Sequence, residues 1–130
     1  MYIHLHIIGI LLISLALIHI IFPKYFNWKK ELKSLSPINR QIMFVHTFFI
    51  ALTVFLMGLL CLTSSSELIE TLLGKKIALG LGLFWVIRLF AQFFIFPSKL
   101  WKGKQFETII HISFSLLWFY FSSIFLIIAF

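Results

Sequence analysis

Acidic side chains are scarce in this chain, and so are the residue patterns that usually build active sites. Of 130 residues only four are acidic, and all four are glutamates: Glu31, Glu67, Glu70 and Glu107. Each falls at or beyond the end of a hydrophobic run. No carboxylate is therefore placed inside a span for proton-coupled export, and a proton relay would have to use histidine. A single cysteine, Cys61, excludes an intrachain disulfide and any Cys-based metal motif, and its position in a hydrophobic run predicts a packing role. The sequence also lacks a GxGxxG after a strand, a P-loop, a GxSxG, and the HExxH and CxxC spacings. Nucleotide binding and the common hydrolase chemistries lose their support with them.

Charge of either sign is low, at 12% of residues, against 62% hydrophobic residues and a mean hydropathy of +1.08. A soluble domain this small must cover its core with polar side chains, whereas here the charges gather in three short stretches and leave long runs nearly uncharged. Such a chain needs lipid. Seventeen Phe and four Trp suit lipid contact and interfacial anchoring. The net charge of +7 does not point to nucleic acid, because the basic residues flank the hydrophobic runs and form no separate arm.

Four runs are long enough to cross a hydrocarbon core of about 30 Å. The first spans about 3–22 and is expected to stop at Pro23. It carries no basic residue before it and no small-x-small site after it, so it is expected to remain in the mature protein. The second spans 38–62, with Ser36 as N-cap and Pro37 at the first helical position. The third, 77–96, is closed by Pro97, and the fourth is 108–130. A short amphipathic segment over 27–35 is expected at the headgroups, with Trp28 and Trp101 as matching anchors. Ser64 to Ser66, Glu67, Glu70, Lys75 and Lys76 read as a solvated turn.

The expected fold is all-α: one transmembrane domain over 1–130, a four-helix bundle running up-down-up-down. Lys24, Lys29, Lys30, Lys33, Arg40, Lys99, Lys102 and Lys104 flank the first and third connections, and only Lys75 and Lys76 the second. The positive-inside rule then puts both termini outside, the periplasm for a bacterial inner membrane, and the basic loops in the cytoplasm. Gly58, Gly80 and Gly82 would let helices approach closely, and so small a bundle is expected to form a homodimer or join a larger membrane complex.

Polar residues inside a span are costly, so each is a candidate site. Counting about 1.5 Å per residue, His19, His46, Arg88, Gln92 and His111 all lie one to two turns from the basic ends of their helices, so every helix contributes to one layer. Trp85, Arg88 and Gln92 share a stripe on the third helix. His111, Ser115, Trp118 and Ser122 do so on the fourth, and Asn39, Met43, His46 and Thr53 on the second. In a bundle these stripes are expected to face one another.

Three chemistries fit this layer. The first is haem b, for electron transfer. Imidazoles of His19, His46 or His111 would ligate iron, Trp85 and Trp118 would line the ring, and Arg88 and Gln92 would support the ligands or propionates. A transition metal held by the same three histidines ranks below it, since no carboxylate lies at that depth. The third is non-enzymatic. Here the network orders the helices, or Arg88 holds an anionic lipid head, a carboxylate or a quinone carbonyl, as in a structural subunit or small transporter. His4 and His6, two apart at the opposite end, are expected to be interfacial.

Overall fold

The computed structural model describes residues 2–25, 30, 32–94 and 105–130. All regular structure among them is helical. The α-helices are α1 (Tyr2–Tyr25), α2 (Pro37–Thr63), α3 (Ser65–Glu70), α4 (Leu72–Phe94) and α5 (Gln105–Ala129), with a 3₁₀ turn at Leu32–Ser34 before α2. Four of them, α1, α2, α4 and α5, are long and apolar enough to cross a membrane. An all-α integral membrane protein follows from that length and composition. Trp28, Trp101, Pro97 and most of the segment 27–31 lie outside the described residues.

The chain divides into two compact helical hairpins, 2–65 and 66–130. In the first, α1 packs against α2. Ser36 starts α2 as its N-cap: the residue is extended (φ −60°, ψ 155°), its Oγ accepts from the Asn39 N–H at 3.4 Å, and Pro37 supplies a pre-set φ. At the far end the Ser64 N–H donates to the Leu60 carbonyl and closes the last turn.

The helices of this hairpin run antiparallel and cross at Gly9 and Gly58. A Cβ on Gly9 would stand 2.9 Å from the Gly58 carbonyl oxygen, and a Cβ on Gly58 the same distance from the Gly9 carbonyl oxygen. In lipid, where burial from water cannot drive association, such backbone contact supplies the packing. Leu5, Ile8 and Leu12 on α1 and Ala51, Val54 and Cys61 on α2 are buried, so Cys61 has the packing role its run implied.

In the second hairpin, α4 packs against α5, again antiparallel: Gly82 meets Leu126, Trp85 meets Trp118 and Gln92 meets His111. Phe121 and Phe125 are fully buried.

Three expectations change. Pro23 does not stop α1, which continues to Tyr25. So near the helix end a proline forfeits little beyond the bond its own nitrogen would have made. Gly80 makes no close approach, since nothing lies within 4 Å of the Cβ it lacks. The solvated turn is helix instead: α3 occupies Ser65–Glu70, and α4 begins five residues early, at Leu72 against 77. Thr71 makes this corner. Its Oγ1 accepts from the Gly74 N–H at 2.9 Å as a cap, and its own N–H donates to Glu67 at 3.1 Å. Gly74 is required there, because a Cβ would collide with the Glu67 carbonyl.

Candidate functional site

On α4, Trp85, Arg88 and Gln92 follow one another at steps of three and four and so share a face. On α5, His111, Ser115 and Trp118 do the same. The hairpin brings the two stripes together, with Gln92 at the centre. Its Oε1 accepts from Arg88 Nη1 at 3.4 Å and from the Trp118 indole Nε1–H at 3.4 Å, while its Nε2 lies 2.9 Å from His111 Nδ1. Two donors aim at one end of the amide, so that end is the oxygen. The amine end then donates to His111, and the neutral imidazole carries its hydrogen on Nε2.

Rings enclose this network. Trp118 stacks on Trp85, with centroids 4.9 Å apart and planes 12° apart, and on Phe114 at 5.5 Å and 17°. The Arg88 guanidinium carbon lies 5.2 Å from the Trp118 ring centroid, a cation–π contact worth about 2 kcal/mol once desolvated. Phe93 meets the His111 ring edge-on at 5.6 Å. The Ser115 hydroxyl donates to the His111 carbonyl at 2.7 Å. Gln92, His111, Trp85 and Trp118 are buried and Arg88 is half-buried.

The Trp85 indole N–H is buried and meets no acceptor among the described residues. Apart from Gln92 Oε1, which holds two donors, and His111 Nδ1, which holds one, the polar side-chain atoms of Trp85, Arg88, His111 and Trp118 are donors. The site is chemically disposed toward an acceptor.

His19 and His46 belong to the other hairpin. The His19 Nδ1–H donates to the Leu15 carbonyl at 2.9 Å and the His46 Nδ1–H to the Ile42 carbonyl at 2.9 Å, which makes Nε2 the lone-pair nitrogen in each neutral ring. They do not share a face. His19 lines an apolar cavity of about 140 Å³ with Ile20 of α1 and Phe44, Thr47, Phe48 and Ala51 of α2. At 100° per residue His46 points to the opposite side of α2, where it is exposed. Asn39, Met43, His46 and Thr53 are exposed side chains of α2.

Of the seven residues the sequence singled out, Trp85, Arg88, Gln92, His111 and Trp118 thus form one network. Among the described residues, no three His, Cys, Asp or Glu side chains come together as a metal-binding group. His6 bonds to its own helix, at 2.8 Å from the Tyr2 carbonyl. Phe93 and Phe114 had not been singled out. Phe114 stands four residues before Trp118, a spacing that could have marked it. Compared with known proteins, this chain matches no family model, no curated protein and no solved structure.

Proposed function

We propose that this is a small, non-enzymatic integral membrane protein whose second hairpin binds a membrane-borne molecule through a hydrogen-bond acceptor at Trp85, Arg88 and His111. The acceptor is a quinone carbonyl, a carboxylate or a lipid phosphate. The observation that carries the reading is the Trp85 N–H, buried without an acceptor among the described residues, on a ring stacked against the Trp118 ring that the Arg88 guanidinium overlies. An unmade bond of this kind costs about 1–3 kcal/mol, and an incoming oxygen would recover it. Arg88 supplies attraction for a full or partial negative charge, strengthened by apolar surroundings. Gln92 holds Arg88, His111 and Trp118 in register, so the donors are ordered before the ligand arrives. The excess of loop cations beside the first and third connections supports insertion with both termini outside, as in a bacterial inner membrane.

The test uses nanodiscs of zwitterionic lipid, with indole fluorescence as the readout. One arm adds decyl-ubiquinone and the other phosphatidylglycerol. A saturable change in one arm, lost in Arg88→Gln and weakened in Trp85→Phe, supports the reading and names the source. Identical titrations for wild type and both variants in both arms would sink it. Trp85→Phe keeps an aromatic ring against Trp118 while removing the N–H, so it remains informative if Arg88→Gln does not fold.

A second reading rests on the Nε2 lone pairs of His19 and His46, the arrangement by which histidine ligates haem iron or a transition metal. His111 is less suited, because its Nδ1 is engaged by Gln92 and its Nε2 carries the hydrogen. With His19 of α1 against one side of α2 and His46 on the other side of α2, each would need a second ligand from elsewhere. An absorption spectrum of the purified protein, oxidised and then reduced, tests it: a Soret band lost in His46→Ala or His19→Ala supports it, and a colourless, metal-free protein overturns it.

A further inference from the structure

We propose that the cavity between α1 and α2 beside His19 is a binding site for a neutral phenolic ring. Its volume is about 140 Å³, close to the roughly 150 Å³ at which an apolar cavity takes up benzene. Phe44 and Phe48, four residues apart on α2, share one face and line it, with Ile20 and Ala51 completing the apolar wall. Two polar side chains also line it, Thr47 of α2 and His19 of α1.

Thr47 sets this cavity apart from an accidental packing gap. The other threonines of α2, Thr53 and Thr63, each donate to the carbonyl four residues back, at 2.8 Å and 2.7 Å. That local bond is the usual way a hydroxyl is satisfied within a membrane helix. Thr47 makes no such bond, and its hydroxyl has no hydrogen-bond partner among the described residues. An unpaired hydroxyl in apolar surroundings is costly, and an incoming oxygen would relieve that cost. His19 gives its Nδ1–H to the Leu15 carbonyl, which makes Nε2 the acceptor nitrogen of its ring.

These groups select the ligand by elimination. Among the described residues no Lys or Arg lines the cavity, so a carboxylate or phosphate would enter without a counter-charge. An acyl chain would fill the volume but offer nothing to the Thr47 hydroxyl. A phenolic hydroxyl both accepts and donates: it accepts from Thr47 and donates to His19 Nε2, while its ring lies against Phe44 and Phe48. Depth agrees with this choice. From His19 to the end of α1 at Tyr25 the helix rises about 9 Å, next to the basic first connection. Rings with one polar end collect at that level of a bilayer. The lining residues all belong to the first hairpin, so this inference is independent of the ligand proposed for the second.

Titration in nanodiscs of zwitterionic lipid tests it, with para-fluorophenol, fluorobenzene and para-fluorobenzoate as probes and ¹⁹F signals and the His19 ring ¹⁵N shifts as readouts. The expected result is saturable binding of para-fluorophenol with a shift at His19, and binding of the other two weaker by about tenfold or more. Thr47→Val keeps the shape of the side chain and removes the hydroxyl. It should weaken para-fluorophenol roughly three- to tenfold and leave fluorobenzene unchanged. Ala51→Leu, which fills the cavity, should abolish binding of both, and Thr47→Val decides the matter if that variant does not fold. Equal affinity for para-fluorophenol and fluorobenzene would overturn the proposal and leave an apolar gap. So would non-saturable signals from all three probes, the result for a cavity filled by acyl chains. A Soret band lost in His19→Ala would overturn it too, since Nε2 cannot serve iron and a hydroxyl at once.

Discussion

Gln92 and His111 hold α4 to α5 by one buried hydrogen bond, 2.9 Å from the amide Nε2 to the ring Nδ1. The direction of that bond follows from the two donors on the other end of the amide, Arg88 and Trp118. The proton position on His111 therefore follows from the donors on the far end of the Gln92 amide.

Replacement of Gln92 separates the parts of this network. Gln92→Leu removes the shared partner of three polar groups and should lower stability by about 1–3 kcal/mol, read from thermal unfolding in detergent. Gln92→Glu keeps an acceptor for Arg88 and Trp118 but offers no N–H to His111, so its loss should be smaller and the imidazole hydrogen should move to Nδ1. Ring ¹⁵N shifts report the tautomer. An Nδ1–H ring in the wild type would show that the amide is oriented the other way.

Trp118 contributes as a ring and as a donor. Trp118→Phe keeps the stack on Trp85 and loses the bond to Gln92, for an expected cost of about 0.5–1.5 kcal/mol. Trp118→Leu also loses the stacking and the contact with Arg88 and should cost about 3 kcal/mol. Equal losses for the two variants would mean that the stacked faces contribute nothing.

Glycines predict opposite outcomes in the two hairpins. Gly58→Leu forces a side chain against the Gly9 backbone and should destabilise the first hairpin by about 1–3 kcal/mol. Gly80→Ala meets open space and should raise stability by about 0.5–1 kcal/mol, since alanine favours the helix. Melting curves of both variants decide the matter, and a destabilised Gly80→Ala would require a contact at that position.

Two caps set helix starts and can be removed singly. Ser36→Ala deletes the acceptor for the Asn39 N–H and should cost about 1 kcal/mol. Thr71→Ala removes the bond to the Gly74 N–H and should loosen the α3–α4 corner by a similar amount, visible as faster amide exchange at Gly74. Unchanged exchange there would assign the corner to the glycine alone.

Much of the fold was legible because membrane insertion makes stringent local demands. Every backbone polar group must be satisfied within its own segment, so long apolar runs become helices whatever their neighbours do. The start of α2 could be placed for the same local reason, with Ser36 and Pro37 adjacent. The early start of α4 was hidden, because Lys75 and Lys76 resemble loop residues until Thr71 is seen to cap the helix that carries them. Gly9 went unmarked, since only its contact with Gly58 distinguishes it from other small residues in apolar runs.

By itself the sequence determined the four apolar helices, their lipid surroundings and the stripe that puts Trp85, Arg88 and Gln92 on one face, because helical period and hydrocarbon thickness act within single segments. Only the tertiary structure decided which stripes meet. His111 and Trp118 close on Gln92, whereas His19 and His46 turn to different sides of α2. Equal depth in a membrane brings side chains to one level, but the rotation of each helix about its own axis, set by packing at contacts such as Gly9 with Gly58 and Trp85 with Trp118, decides whether they touch.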